Sequence, residues 1–151
     1  MNGLEVYYVY SLKVKVAHHF YYKSSILYNF LKTYEKHANQ TDWKNQFSYI
    51  VDAFDQQKLM NYLKSISNYI QITQIQPGYF QVSDGTKSVY LHILDTHFVL
   101  KCPSIHVAEE LLFEPLRLFP SHLFVVHAEK YMYGWISTLK NKETINNRQL
   151  L

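Results

Sequence analysis

The feature that most constrains the fold is a change of hydrophobic period in the middle of the chain. Between about residues 25 and 66 apolar side chains recur every three or four positions, which is typical of helices. From Tyr69 to Cys102 they alternate with polar ones, and the Asp84-Gly85 pair is a specific signal for a tight hairpin. This alternation predicts four strands joined by short turns, at Tyr69–Ile75, Tyr79–Val82, Ser88–Leu94 and His97–Cys102.

The first 66 residues predict one strand and then three helices. Residues 5–14 alternate and are rich in β-branched and aromatic side chains, which favours a strand. Val16 and Phe20 lie four positions apart, so a helical turn there would put both on one face. In the second of the three helices the helical spacing continues through Val51 to Phe54. Ser24 or Ser25 is expected to cap the first helix, over residues 25–37. Asp42 is expected to cap the second helix, and Asp55 the third.

The last part of the chain predicts another helix and two closing strands. Ser104 can cap a helix that runs to about Phe119, and Pro115 should kink or interrupt it. The closing strands are expected at His122–His127 and Lys130–Ile136. This order of elements predicts an α+β fold, with helices packed on a largely antiparallel sheet. We expect one domain over residues 1–139 and a polar, frayed tail over residues 140–151.

Length and composition narrow the class of protein. The chain has 151 residues, which suits a single domain, and 48% of them are hydrophobic, which excludes a disordered chain. The net charge of +3 is too small for a dedicated nucleic-acid clamp. No apolar run approaches the length of a membrane span, and the start of the chain lacks the pattern of a signal peptide. We therefore expect a cytoplasmic protein without membrane contact.

The sequence offers little support for an enzyme. Eight histidines are present, but none has the spacing of a metal motif, although His92 and His97 flank a turn and could approach each other. Cys102 is the single cysteine, and no local motif makes it a nucleophile. Four glycines are too few for a phosphate-binding loop. We expect no catalytic residue, no metal and no cofactor.

The aromatic content leaves two binding hypotheses open. The chain has 14 tyrosines and 9 phenylalanines, and rings interleaved with lysine could stack on single-stranded or origin DNA. Most of these rings, however, fall on the inward stripe of a predicted element. The dense block from Val16 to Lys23 could instead dock on another protein, because aromatic residues are enriched at interfaces. The same block could equally be buried against the sheet.

Two segments carry a family resemblance. Tyr7-Tyr8-Val9-Tyr10-Ser11-Leu12-Lys13, followed by Ala17-x-His19-Phe20-Tyr21, resembles the start of the sporulation inhibitor of replication family, SirA. Glu109-x-Leu111-Leu112-Phe113-Glu114-x-Leu116 and Tyr133-Gly134-Trp135 resemble its ending. The resemblance covers about residues 6–35 and 88–137. It implies a non-enzymatic α+β protein that binds the N-terminal domain (domain I) of the initiator DnaA and prevents its assembly at the origin.

The resemblance also implies a contact surface on a short helix after the first strand. Its two apolar or aromatic contact positions correspond to Val16 and Phe20, with His19 and Lys23 on the rim. The family is aromatic at both positions, whereas this chain has valine at the first and lacks a phenol oxygen at the second. No direct contact with nucleic acid is implied, and we expect a monomer or a 1:1 complex with DnaA domain I. A Phe20 buried in the core would contradict this assignment.

Overall fold

The computed structural model describes residues 3–66 and 68–137. This part of the chain forms eight strands and several helices. In chain order they are β1 (Glu5–Leu12), α1 (Val14–Phe20), α2 (Ser24–Lys36), α3 (Thr41–Ile50), β2 (Val51–Asp52), α4 (Gln56–Ile66), β3 (Gln71–Gln76), β4 (Tyr79–Ser83), β5 (Ser88–Ile93), β6 (His97–Cys102), α5 (Ile105–Ala108), a π-helical turn (Glu109–Phe113), α6 (Glu114–Leu116), β7 (His122–His127) and β8 (Tyr133–Trp135).

All eight strands belong to one antiparallel sheet. Seven of them follow the order β3-β4-β5-β6-β1-β7-β8, and the short β2 pairs with the end of β1. Tyr8 therefore lies opposite Val99 of β6 on one side and opposite Val126 of β7 on the other. Because β1 is central, its alternate side chains enter two different cores. The predicted α+β fold with an antiparallel sheet is confirmed.

One face of the sheet packs against α4 and the segment that runs from α5 to α6. The hydrophobic cluster on this face includes Val9 of β1, Leu63 of α4 and Leu112 of the π-helical turn, each at most 1% exposed. All of β4, β5 and β6 contribute to it. This face holds the larger core.

The opposite face packs against α1, α2 and α3. Its cluster includes Tyr10 and Leu12 of β1, Leu27 and Leu31 of α2, and Phe124 of β7. No residue of β3 to β6 belongs to it within the described ranges, so this helix layer covers the β1–β7–β8 part of the sheet. The margin of the layer lies where α2 meets β1 and β6.

Turns and caps follow local chemistry where a suitable side chain is in place. The Ser104 hydroxyl accepts a hydrogen bond from the Val107 amide, and the Asp55 carboxylate accepts one from the Lys58 amide, as predicted. At the β4–β5 turn Asp84 accepts bonds from the amides of Thr86 and Lys87, which confirms the predicted hairpin.

Pro115 interrupts its helix in a specific way. It follows the π-helical turn, in which the Glu114 amide bonds to the Glu109 carbonyl, one residue farther back than in an α-helix. A proline ring clashes with the carbonyl four residues before it, and the wider turn relieves that clash. The predicted interruption is therefore confirmed.

Two predicted caps are wrong. The α2 helix begins at Ser24 itself, with Lys23 as the preceding residue and no side-chain cap, because the Lys23 amide bonds to the Phe20 carbonyl and the chain turns at once. The α3 helix begins at Thr41 after Gln40, whose amide bonds to the His37 carbonyl. Asp42 then lies in the first turn, where its charge still favours the helix dipole.

Some predicted boundaries are also wrong. Helical spacing was expected to continue through Val51 to Phe54, but α3 ends at Ile50 and Val51 pairs with Leu12 of β1. Tertiary pairing thus overrides the local period. The last strand is shorter than predicted, because the Met132 amide bonds to the Lys130 carbonyl in the turn before β8.

Two expectations concern regions at the ends of the chain. The frayed tail over residues 140–151 lies outside the described residues, so the domain boundary at residue 139 stays a prediction. Among the described residues, no helix combines the length and the apolar character that crossing a membrane requires.

Candidate functional site: the helix after the first strand

The candidate site lies on α1, which follows β1 after a single residue. Val14 and Val16 are β-branched and disfavour a helix, and no side chain caps its start. The Ala17 amide bonds to the Lys13 carbonyl at 2.9 Å, and Ala17 is fully buried against the second cluster. Packing of that alanine, rather than local propensity, therefore keeps these seven residues helical.

The structure brings the two central site residues together. Val16 and Phe20 are separated by one helical turn and are both partly buried, in contact with the second cluster. Phe20 is therefore neither a core residue nor a freely moving surface ring. Its inner side is held by the core while the rest faces solvent, which is the arrangement that a contact surface needs.

The two rim residues take different positions. His19 is exposed on α1, and its ring meets the Phe20 ring edge-on with 4.6 Å between centroids. Lys23 is exposed in the turn after α1, where its amide bonds to the Phe20 carbonyl at 2.9 Å. Both therefore border the apolar pair.

A second aromatic group next to α1 was missed from the sequence. Tyr21 stacks on Trp135 of β8 with 5.4 Å between ring centroids, and the Trp135 indole N–H donates to the Tyr21 carbonyl at 3.1 Å. Tyr22 is 82% exposed and touches Tyr21 edge-on. The dense aromatic block of the sequence signals these tyrosines, but their contact with a strand more than a hundred residues away has no local signal.

The chain segment that contains α1 and α2 is rich in lysine. Residues 13–34 contain four lysines and no aspartate or glutamate. Lys15 and Lys23, on either side of the apolar pair along the chain, are both exposed. A partner with carboxylates around an apolar recess would be complementary to this surface.

The residues considered for catalysis or metal binding each have contacts of their own, although His92 lies near enough to His97 for its charge to help lower the pKa of His97. His92 stacks on Tyr79 at 4.6 Å, whereas the His97 ring meets the Tyr8 ring edge-on at 5.5 Å. No group of three or more possible metal ligands occurs within residues 3–66 and 68–137. Cys102 is buried, and burial raises the pKa of its thiol to about 11, so the nucleophilic thiolate is scarce at neutral pH.

Two cavities lie away from α1. One cavity, of about 610 Å³, lies between the π-helical turn and strands β7 and β8. Phe113 and Val125 line it, and so do Arg117 and Glu109, which form an ion pair. The other, of about 580 Å³, lies at the margin of the α1–α3 layer, between α2 and β6. Val16 and Phe20 line neither of these two cavities.

Comparison with known proteins places the chain in a family. Residues 5–140 match the family described as sporulation inhibitor of replication protein SirA, which covers most of the chain. No curated protein matches the sequence significantly. The resemblance seen in the sequence at both ends of the domain is therefore confirmed over its middle as well. The chain belongs to the SirA family of sporulation inhibitors of replication.

Proposed function

We propose that this chain inhibits the initiation of chromosome replication by binding domain I of DnaA through α1. Family membership supports the role in replication. The observation that carries the choice of surface is the partly exposed pair Val16 and Phe20, held in place directly after β1. DnaA acts on the chromosome, so we expect a cytoplasmic location.

Inhibition in this proposal is by occupancy. Phe20 fills an apolar recess on domain I, and because its inner side already packs on the core, little side-chain freedom is lost on binding. Val16 offers less area than an aromatic residue would. The recess of the matching DnaA is therefore expected to carry a larger side chain opposite Val16, or the complex is weaker than in relatives with two rings.

The charged rim determines how the complex forms. Lys15, His19 and Lys23 are exposed around the pair, and no carboxylate lies within residues 13–34. Exposed charges at the edge of an interface mainly raise the association rate and fix orientation. The association rate should fall as salt is added, with a smaller change in the dissociation rate.

The decisive experiment is titration calorimetry of the full chain against domain I of DnaA from the same organism. We expect one site per chain and, for Phe20→Ala, a loss of affinity of about tenfold or more, equal to about 1.4 kcal/mol. Tyr49→Ala is the matched control, because Tyr49 is a 75% exposed ring on α3, outside the proposed surface. Circular dichroism verifies that both variants are folded.

Each other outcome contradicts a defined part of the proposal. Binding that Phe20→Ala leaves unchanged would retain DnaA as the partner and reject α1 as the surface. Absence of binding to domain I, together with salt-sensitive binding to single-stranded DNA, would favour the nucleic-acid hypothesis. That hypothesis is weakened by Lys32, Lys87 and Lys130, whose ammonium groups each lie within 3.5 Å of a carboxylate.

A further inference from the structure

A cavity of about 580 Å³ lies where the α1–α3 layer ends against the sheet. Its walls come from the last turns of α2, from β1 and from the start of β6. The side chains that give it chemical character are Tyr8, Tyr10, Tyr34, Glu35, Thr96 and His97. None of these belongs to α1, so the cavity is distinct from the proposed docking surface.

Three tyrosines and His97 bring aromatic rings to the cavity wall, and these rings are held by ring contacts. The His97 ring lies 5.5 Å from Tyr8 and 5.2 Å from Tyr10, between centroids. Tyr34 is fixed by a stacked contact with Phe47, 3.9 Å between centroids. Rings fixed in this way need little further ordering when a ligand enters.

Glu35 brings a carboxylate to the wall of the cavity. Glu35 is the one acidic or basic side chain among the described residues that line it, apart from His97. Burial lowers the pKa of His97, so its imidazole is neutral near pH 7. Lys32 lies outside the wall and offsets part of the Glu35 charge, so the described residues of the lining carry a carboxylate and no lysine or arginine.

Tyr10 and Lys32 hold the carboxylate of Glu35, and its oxygens can still accept further hydrogen bonds. The Tyr10 hydroxyl donates to Oε2 at 3.2 Å, and Lys32 Nζ lies 3.3 Å from Oε1. Lys32 also donates to the Ala128 carbonyl at 2.9 Å, which holds its ammonium outside the cavity wall. Each carboxylate oxygen has two lone pairs, so both can accept another donor.

We infer that this cavity binds an organic cation, an alkylammonium or guanidinium group, between the tyrosine rings and the Glu35 carboxylate. Ring faces attract cations, and the attraction grows when the cation is shielded from water. The same chemistry is supplied by a lysine or arginine side chain of a protein and by a small free amine. The site is independent of the α1 surface, and its test needs no DnaA.

The test is a nuclear magnetic resonance titration of the ¹⁵N-labelled full chain with three probes. N-acetyl-lysine methylamide carries the cation of a protein side chain, and the same compound acetylated on its side-chain nitrogen has no charge. Putrescine represents a free amine. We expect saturable shifts at the amides of Glu35, Thr96 and His97 with a charged probe, and binding of the neutral compound at least about tenfold weaker.

Pairs of variants distinguish a loss of binding caused by a lost charge or ring from one caused by misfolding. Glu35→Gln should weaken binding of the charged probe by about tenfold or more. Glu114→Gln, an exposed carboxylate on the opposite face of the sheet, should leave it unchanged. Tyr8→Leu should weaken binding several-fold because a ring face is lost, whereas Tyr8→Phe, which keeps the ring, should not. If Glu35→Gln fails to fold, the Tyr8 pair decides the question.

The probes also distinguish the source of the cation. Tighter binding of the capped lysine than of putrescine supports a protein side chain, and the reverse order supports a small amine. Equal binding of the charged and neutral lysine compounds overturns the inference. So do shifts confined to other parts of the chain, or no shift with any probe.

Discussion

The two faces of the sheet differ in how many hydrophobic residues they bury. Among residues 3–66 and 68–137, the hydrophobic cluster against α4 and the α5–α6 segment has 21 buried residues and 7 partly buried ones, whereas the cluster against α1–α3 has 10 and 8. Six of those 8 partly buried residues are aromatic, namely Tyr8, Phe20, Phe30, Tyr34, Tyr133 and Trp135. The first face thus holds the larger buried core, although a cavity of about 610 Å³ opens between the π-helical turn and β7–β8, and the second is a layer of rings that is only partly covered.

We expect the first face to contribute most to stability and the second face to provide the binding surfaces. Leu100 is fully buried in the larger core, and an apolar side chain contributes most to stability when water is fully excluded from it. Aromatic rings combine a large apolar area with few rotatable bonds, and those of tyrosine and tryptophan also carry a polar group that can remain near water. Both proposed sites, the α1 surface and the cation cavity, lie on the partly covered face.

The largest expected effect on stability is at the face that holds the larger core. Leu100 is fully buried on β6, so Leu100→Ala should lower the free energy of unfolding by about 2–5 kcal/mol, as loss of buried methyl groups leaves a cavity. Urea unfolding measures it. Leu118→Ala removes the same atoms from a 77% exposed side chain and should change stability by less than about 0.5 kcal/mol. Equal losses in the two variants would break the comparison.

A smaller loss of stability is expected on the ring-rich face. Phe20 is only partly buried, so Phe20→Ala should lower the free energy of unfolding by about 1–2 kcal/mol, below the cost for a fully buried ring. The same urea experiment measures it alongside Leu100→Ala. A loss as large as that of Leu100→Ala would mean that Phe20 acts as a core residue and would argue against the α1 surface.

The contact between Tyr21, next to α1, and Trp135 of β8 should contribute still less to the free energy of unfolding. Trp135→Phe keeps an aromatic ring opposite Tyr21 but removes the indole donor to the Tyr21 carbonyl, so we expect a loss of about 1 kcal/mol. Thermal unfolding measures this loss. Hydrogen exchange at the amides of α1 should become faster by comparison with the amides of β5. Unchanged exchange in α1 would show that Trp135 does not hold the helix.

The smallest effect is expected outside both helix layers, at the β4–β5 turn. Hydrogen bonds from the amides of Lys87 and Thr86 lower the pKa of Asp84 from 3.8 to about 2. A lowered pKa in the folded state stabilises the fold above pH 3.8, and this contribution disappears as the pH falls towards 2. Stability of Asp84→Asn should therefore fall less steeply over that interval. Identical slopes in wild type and variant would contradict this assignment.

Much of the fold could be predicted because its signals are local. The alternation over β4 to β6, the turn residues Asp84-Gly85 and the cap Ser104 each act within a few residues, and the structure follows them. The position of Pro115 also predicted the break in the last helix. The exceptions, such as Val51, are positions where a distant strand offered a better partner than the helix.

The candidate site was only partly predictable. The spacing of Val16 and Phe20 put them on one helical face, but their partial burial depends on how far the layer of α1 to α3 extends over the sheet. The stack of Tyr21 on Trp135 and the proximity of Glu35 to Tyr10 join segments far apart in sequence. No local pattern specifies such pairs, so neither the support of α1 nor the cavity could be derived beforehand.

The sequence by itself therefore determined the class of fold, the position of most strands and the family of the chain. Tertiary structure decided that β1 lies between β6 and β7, and that one helix layer buries a large core while the other leaves most of its outer rings only partly buried. The physical reason is the range of the interactions. Hydrophobic period and turn geometry act between near neighbours, whereas strand order and residual exposure arise only when distant segments compete for the same buried surface.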